Sequence, residues 1–332
     1  MTTMQAWSLR VDGTQVVVQK GEAPVPVPGP GQLLVKMLAA GLNRGEFIPG
    51  GLIKGSASKP AGIEGAGEIV AIGAEVGERQ ASELHIGQRV MGRCAGAFSE
   101  YALMDAREAM AVPHGLSIEA AAAVPLTFLV VHDMLVAQGR LKPGEWLLVL
   151  GASSGVGVTA LQAGKALGAR VIGTSGSADK LDRLKQLGLD LGLHTRGPDF
   201  ADAVMQATAG CGADLIVNTV GGTMFAPALR CAAFEARLAI VGYVDRTLKA
   251  EVDLKALHVK RLTLFGVSNK LRSADQKAAG VPAFKADLLP AIADGRIRPL
   301  VDQVFAFDEL PAAQACMQAS RHVGKIVLRV AA

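Results

Sequence analysis

Along the first 124 or so residues, apolar positions come in short runs broken by glycine and proline, with no helical spacing of useful length. The runs Gln15 to Gln19, Gln32 to Ala39, Gly67 to Ile72 and Arg89 to Met91 predict strands. The stretch Glu22 to Gly31 holds four prolines in ten residues and predicts an extended connector. From about 125 to 265 the pattern changes. Continuous Val/Ile/Leu runs at Trp146 to Leu150, Arg170 to Thr174, Asp214 to Val220 and Arg237 to Val241 alternate with helical spacing over Val156 to Leu167, Lys180 to Leu187 and Thr223 to Cys231. Buried strands alternating with helices predict a parallel sheet covered on both faces. The remainder predicts helices over Phe284 to Ala293 and Leu310 to Ser320 and a last strand over Lys325 to Val330. The fold class expected is therefore α/β, a doubly wound parallel sheet accompanied by an all-β, barrel-like unit.

Composition narrows the function. The 332 residues carry a net charge of +4 and only 4% aromatics, with no run of basic residues, so no nucleic-acid partner is expected. The longest apolar stretch, Ala120 to Val131, is interrupted by Pro125 and too short for a bilayer, and the first residues lack a signal-peptide pattern, so neither a membrane nor export is expected. Cys94, Cys211, Cys231 and Cys316 stand far apart, as expected of reduced thiols in a cytoplasmic chain. The six histidines share no metal-binding spacing, and the serines of the glycine-rich turn do not form a hydrolase elbow.

The strongest local signal is Leu147-Leu-Val-Leu-Gly-Ala-Ser-Ser-Gly-Val-Gly157. A buried strand enters a turn of small residues that opens a helix, and a second strand follows. Glycines there let a pyrophosphate approach the backbone, and the N–H groups of the first helical turn face the anion. Ser153, Ser154, Gly155, Val156 and Gly157 are the candidate dinucleotide contacts. After the second strand, where NAD binders carry an acid for the ribose hydroxyls, this chain reads Thr174-Ser-Gly-Ser177. Hydroxyls at Ser175 and Ser177, the Gly176 turn, and cations at Lys180 and Arg196 suit a 2′-phosphate, so the expected cofactor is NADPH.

Seven motifs together resemble the medium-chain dehydrogenase/reductase superfamily, and within it the zinc-independent NADPH:quinone oxidoreductase branch. They are Ala40-Gly-Leu-Asn-Arg-Gly-Glu46, Gly62-Ile-Glu-Gly-Ala-Gly67, Gly87-Gln-Arg-Val90, Gly96-Ala-Phe-Ser-Glu-Tyr101, Gly151-Ala-Ser-Ser-Gly-Val-Gly157, Asn218-Thr-Val-Gly-Gly222 and Gly324-Lys-Ile-Val-Leu328. The resemblance implies a GroES-like catalytic domain from residues 1–124 and 266–332, with a Rossmann NADPH-binding domain, residues 125–265, inserted. It implies Asn43 and Thr127 beside the reacting atoms. It also implies Val220, Gly242, Tyr243, Phe265, Val267, Ser268 and Arg321 around the ribose and nicotinamide.

The same resemblance speaks to metal. Zinc members place a cysteine and a histidine where this chain has Asn43 and Ile63, and a structural zinc would need four cysteines where only Cys94 stands. No metal site is expected. Without a Lewis acid, hydride transfer suits an acceptor that is already electrophilic, such as a quinone or an α,β-unsaturated carbonyl compound. Three positions depart from the quinone-reductase pattern. The loop Phe47 to Lys54 lacks a tyrosine, Val130 stands for a threonine, and Thr195 stands for a tyrosine. Enoyl thioester reductases use a tyrosine donor, and only Tyr101 and Tyr243 exist here. Alternatives are thus an NADPH-binding protein with little turnover, as in crystallin-like members, or an enoyl thioester reductase. The apolar strand Arg261 to Val267 would be an open sheet edge in a monomer, so a homodimer is expected.

Overall fold

The structure is a computed structural model and describes residues 2–49, 57–77 and 83–330. The chain divides into two compact units, one of residues up to Thr127 with 272–293 and 299–330, the other of residues 128–271 and 294–298.

In chain order the first unit opens with strands β1 (Thr3–Asp12), β2 (Gln15–Pro24), β3 (Gln32–Gly41), β4 (Lys59–Pro60), β5 (Glu64–Ile72), β6 (Arg89–Ala95), β7 (Tyr101–Asp105) and β8 (Met110–Ala111). The second contains β9 (Trp146–Leu150), β10 (Arg170–Ser175), β11 (Leu191–His194), β12 (Ala213–Asn218), β13 (Ala232–Ile240) and β14 (Thr263–Gly266). The chain then returns to the first unit with β15 (Val301–Ala306) and β16 (Lys325–Arg329).

In the first unit β3 pairs with both β5 and β7, and β6 joins those two, so these four strands close on themselves as a small GroES-like barrel. Closure removes the sheet edges and packs Leu33, Val35, Met37, Ile69 and Met104 inside. Both chain ends build this unit. The Trp7 indole N–H donates to the Phe307 carbonyl at 2.9 Å, and the Leu42 N–H to Ile326 at 3.0 Å.

In the second unit the six strands run parallel in the order β11-β10-β9-β12-β13-β14. This is the Rossmann order, with the chain reversing direction across the sheet on either side of β9. Leu147 to Leu150 have no exposed surface, which is why that strand reads as unbroken hydrophobic sequence. Gln162 bonds Arg298 in both directions, at 2.8 and 2.9 Å, which ties residues 294–298 to this unit.

Several expected elements differ. The helix expected over Phe284 to Ala293 is two helices, Val281–Asp287 and Leu289–Ala293, parted at Leu288. Pro290 lacks an N–H and restricts Leu289, so it cannot continue a helix begun before it. The expected proline-rich connector begins later, because β2 runs through Pro24 and pairs with Thr3 at its far end. Strands β1, β7 and β15 join the expected set: β1 as a hairpin with β2 that turns after Asp12 at Gly13, β7 and β15 by register with partners farther off in the chain. A short helix, Ile118–Ala122, capped by the Ser117 hydroxyl, lies inside the stretch expected to be all β. Among the described residues no helix is long and apolar enough to cross a membrane.

Candidate active site

In the second unit the turn after β9 is built by close packing. Gly151 has φ +80°, and a Cβ there would lie 2.5 Å from the Thr219 hydroxyl. At Gly157 a Cβ would lie 2.4 Å from the Gly151 carbonyl, so only glycine lets the helix Gly155–Ala166 start this near the turn. Ser154 caps that helix. Its hydroxyl accepts from the Gly157 N–H at 3.0 Å and donates to the Gly151 carbonyl at 2.9 Å. Ser154 and Gly157 thus hold the turn itself. Gly155 and Val156, at the first two helical positions, have N–H groups with no carbonyl partner within the helix, and these are the donors an anion can use.

At the end of β10 the residues read from sequence as a phosphate site come together. The Thr174 hydroxyl is turned toward the glycine turn, accepting from the Gly151 N–H at 3.1 Å. Ser175 Oγ accepts from Ser177 N–H at 3.3 Å, and Ser177 caps the next helix through Lys180 N–H at 3.4 Å. The Arg196 guanidinium crosses this turn. Its Nε donates to the Gly176 carbonyl at 3.3 Å, and a Cβ on Gly176 would strike its side chain at 2.4 Å. Sequence reading missed Asp199. Its carboxylate accepts from the Thr195 hydroxyl, which holds its pKa below the usual range. The signal was an acid four residues after a threonine in a Gly-Pro turn.

Beyond β12, the Asn218 carboxamide folds the next loop, accepting from Val220 and Gly221 N–H, each at 3.0 Å. Val220, Gly242 and Tyr243 follow the carboxyl ends of β12 and β13, and Val267 and Ser268 follow β14, on whose third position Phe265 sits. In open α/β sheets ligands bind at those carboxyl ends. Arg321 does not share their unit. It is an exposed residue of the first, in the segment before β16.

In the first unit a buried polar cluster surrounds Asn43. Glu64, wholly buried at the start of β5, is its centre. Glu64 Oε1 accepts from Asn43 Nδ2 at 2.8 Å and from the Lys325 ammonium at 2.7 Å. Its Oε2 accepts from the Leu126 N–H at 2.7 Å, at the start of the helix Pro125–His132, whose third residue is the buried Thr127. A carboxylate there also meets the positive end of the helix dipole. Lys325 completes its shell with Asn43 Oδ1 at 2.8 Å and the Leu42 carbonyl at 2.9 Å. Glu46 stands beside them, 1% exposed, accepting from the N–H groups of Asn43 and Gly62, each at 3.1 Å. Burial, and then the charge of Glu64, push its pKa up to about 8 against the pull of its hydrogen bonds and Lys325. Lys325 was quoted in a sequence motif but given no role. A lysine opening an apolar strand, Lys325-Ile-Val-Leu328, is the signal that marks it.

The sequence expectation for Asn43 was a neutral donor to substrate. Both ends of its amide are engaged in the protein, and the ammonium on one side and carboxylate on the other fix which end is oxygen. Ile63 donates no ligand atom, and among the described residues no group of three His, Cys, Asp or Glu is placed to hold a metal. β6 and β7 are joined by residues 96–100 only. Of the tyrosine-free loop, residues 50–54 lie outside the described residues.

Two family models match the chain. The alcohol dehydrogenase GroES-like domain matches residues 29–114 and the zinc-binding dehydrogenase domain residues 155–279. Among curated proteins, one of the phenolphthiocerol/phthiocerol polyketide synthase polypeptides of Mycobacterium tuberculosis is 30% identical over 90% of this chain, which spans 14% of that protein's length. Among solved structures, mycobacterial Rv1454c complexed with NADPH is 27% identical with a TM-score of 0.86, over 98% of this chain and 100% of that one. A quinone oxidoreductase of Pseudomonas syringae pv. Tomato DC3000 is 26% identical with a TM-score of 0.84, over 98% of this chain and 100% of that one.

Proposed function

We propose, from the premise that the chain belongs to the medium-chain dehydrogenase/reductase superfamily, that it is an NADPH-dependent reductase of quinones or α,β-unsaturated carbonyl compounds that works without zinc. The observation that carries the reading is the donor set of the first unit. Asn43 and Ile63 stand where zinc members place ligands, and a lysine ammonium 2.7 Å from Glu64 brings its own positive charge to the same cluster. A second cation beside it would be repelled, and an amide is a poor zinc ligand.

The residues of the second unit fit the cofactor. Gly155 and Val156 N–H groups, with Ser153, hold the pyrophosphate. Ser175, Ser177, Lys180 and Arg196 hold the 2′-phosphate, where a carboxylate would have repelled it. Val220, Gly242, Tyr243, Phe265, Val267 and Ser268 would contact the ribose and nicotinamide. Bound there, NADPH supplies hydride. Asn43 and Thr127 orient the acceptor's oxygen, and the apolar surroundings of the cluster exclude water from it.

NADPH should exceed NADH by at least about tenfold in kcat/KM, since one charge-assisted hydrogen bond of about 1.5–3 kcal/mol suffices even after screening. Replacing Lys180 and Arg196 together by alanine should raise KM for NADPH about tenfold and leave that for NADH unchanged. Equal losses for both cofactors would show that these residues hold the fold instead. The acceptor panel for these assays is 1,4-benzoquinone, 9,10-phenanthrenequinone, crotonaldehyde and a crotonyl thioester. The likeness to a polyketide synthase is the reason for the last. Tight NADPH binding with no turnover on any of the four would favour the crystallin-like alternative.

The working form is a homodimer through β14. That strand ends the sheet, its Leu264 and Phe265 are only half-buried, and Tyr243, Val244 and Val259 on the segment leading to it are more than half exposed. Light scattering at micromolar concentration should give twice the chain mass of 34.3 kDa, and a monomer mass would contradict it.

A further inference from the structure

Asn43 Nδ2 carries two N–H groups, and the structure commits only one. The first goes to Glu64 Oε1 at 2.8 Å. The second is shared between Glu46 Oε1 at 3.4 Å and the Gly41 carbonyl at 3.5 Å, both long contacts. The amide cannot turn over to change this. Its oxygen faces the Lys325 ammonium and its nitrogen the Glu64 carboxylate, so a flip would set like against like on both sides. The competition for the second N–H is therefore decided at Glu46.

We propose that Glu46 is a positioning residue that sets, through its own proton, whether the second amide N–H of Asn43 is available to an electrophilic carbonyl acceptor. Protonated Glu46 is a weak acceptor and leaves that N–H to the substrate oxygen. Ionised Glu46 draws it in, shortens the long contact, and withdraws the donor. This rests on the role given to Asn43 above. No atom is transferred between Glu46 and substrate.

The surroundings hold Glu46 near this balance. Glu64 from β5 faces it and favours the proton, and Lys325 from β16 opposes. Cys94 from β6 is the other titratable neighbour, and burial keeps its thiol protonated well beyond the usual range, so it contributes no charge. Glu108, which also acts on Cys94, is neutralised by Arg93. The N–H groups of Asn43 and Gly62 favour the ionised form and keep the proton within reach of solution pH.

The test is the turnover of the intact chain with saturating NADPH and 9,10-phenanthrenequinone, which does not ionise between pH 6 and 10. With a midpoint near 8, wild-type kcat should fall about tenfold between pH 7 and pH 9. In Glu46→Gln that limb should vanish. Asn43→Ala should lower kcat about 5- to 150-fold at pH 7 without a matching rise in KM for NADPH. If Asn43→Ala leaves kcat unchanged, the role of Asn43 fails. If it lowers kcat and the alkaline limb persists in Glu46→Gln, the role of Glu46 alone fails. A readout without turnover guards against a silent or misfolded variant. In the wild-type protein the Asn43 side-chain amide resonance should shift with a midpoint near 8, and an amide that is static from pH 6 to 10 overturns the proposal.

Discussion

Replacing Lys325 by alanine is expected to cost about 3–5 kcal/mol of folding stability. The ammonium is 2.7 to 2.9 Å from three oxygens, those of Glu64, Asn43 and Leu42, and its side chain is 7% exposed. Its removal leaves the wholly buried Glu64 carboxylate without its cation and the Leu42 carbonyl without its donor. The loss is a penalty of stranded groups rather than the worth of the pair. The double variant Lys325→Met with Glu64→Gln should therefore recover most of it. Urea unfolding checks this. In a Trp146→Phe background, Trp7 alone reports on the first unit, because the chain has two tryptophans. A loss under about 1 kcal/mol for Lys325→Ala would mean that water enters the cluster and the pair is no more than a surface ion pair.

The second large effect is a fall in stability as pH rises. The folded pKa of Glu46 is about 8, above its ordinary value of 4.5. Below the ordinary value both folded and unfolded chains hold the proton, and the contribution is fully present. Between the two values only the folded chain keeps it, so each pH unit removes about 1.4 kcal/mol. Above the folded value both are ionised and the loss is complete. Glu46→Gln should be flat across this window and more stable than wild type at pH 9. The carboxyls of Asp105, Glu119, Glu145 and Asp245 are held low by their partners, so their contributions are lost only as the solution becomes acidic. The difference between wild type and Glu46→Gln isolates Glu46. A difference that does not change between pH 5 and 9 would contradict the buried, protonated carboxyl.

The two halves of the molecule were unequally legible. The glycine turn announced itself because its chemistry is contiguous. Strand, turn and helix follow one another from Leu147 to Leu167, and Gly157 is forced by Gly151 within that stretch, while Gly151 is forced by Thr219 from beyond β12. The end of β10 was nearly as readable, since Ser175, Ser177 and Lys180 are neighbours in sequence. Arg196 enters through pairing of β11 with β10, and Asp199 went unseen because it matters only when that loop folds back on Thr195.

The Asn43 cluster was opaque for the opposite reason. Its members come from the 43–46 turn, from β5, from the start of the helix after 124 and from β16, so 282 positions separate Asn43 from Lys325. Sequence reading could name Asn43 as odd for a zinc site. It could not show that the amide is held between an ammonium and a carboxylate, which changes what its mutation tests. The break at Leu288 was readable in principle from Pro290, but the apolar spacing on both sides ran through it.

The proposed passage of hydride from NADPH to an electrophilic carbon or oxygen can be followed with NADPH carrying deuterium on the transferred position of C4 and crotonaldehyde as acceptor. The expected result is NADPH-dependent reduction with deuterium on C3 of the butanal product, and a rate with NADH at least about tenfold lower under the same conditions. Deuterium retained in the cofactor, with none in the product after full conversion, or an equal or faster reaction with NADH, would contradict it.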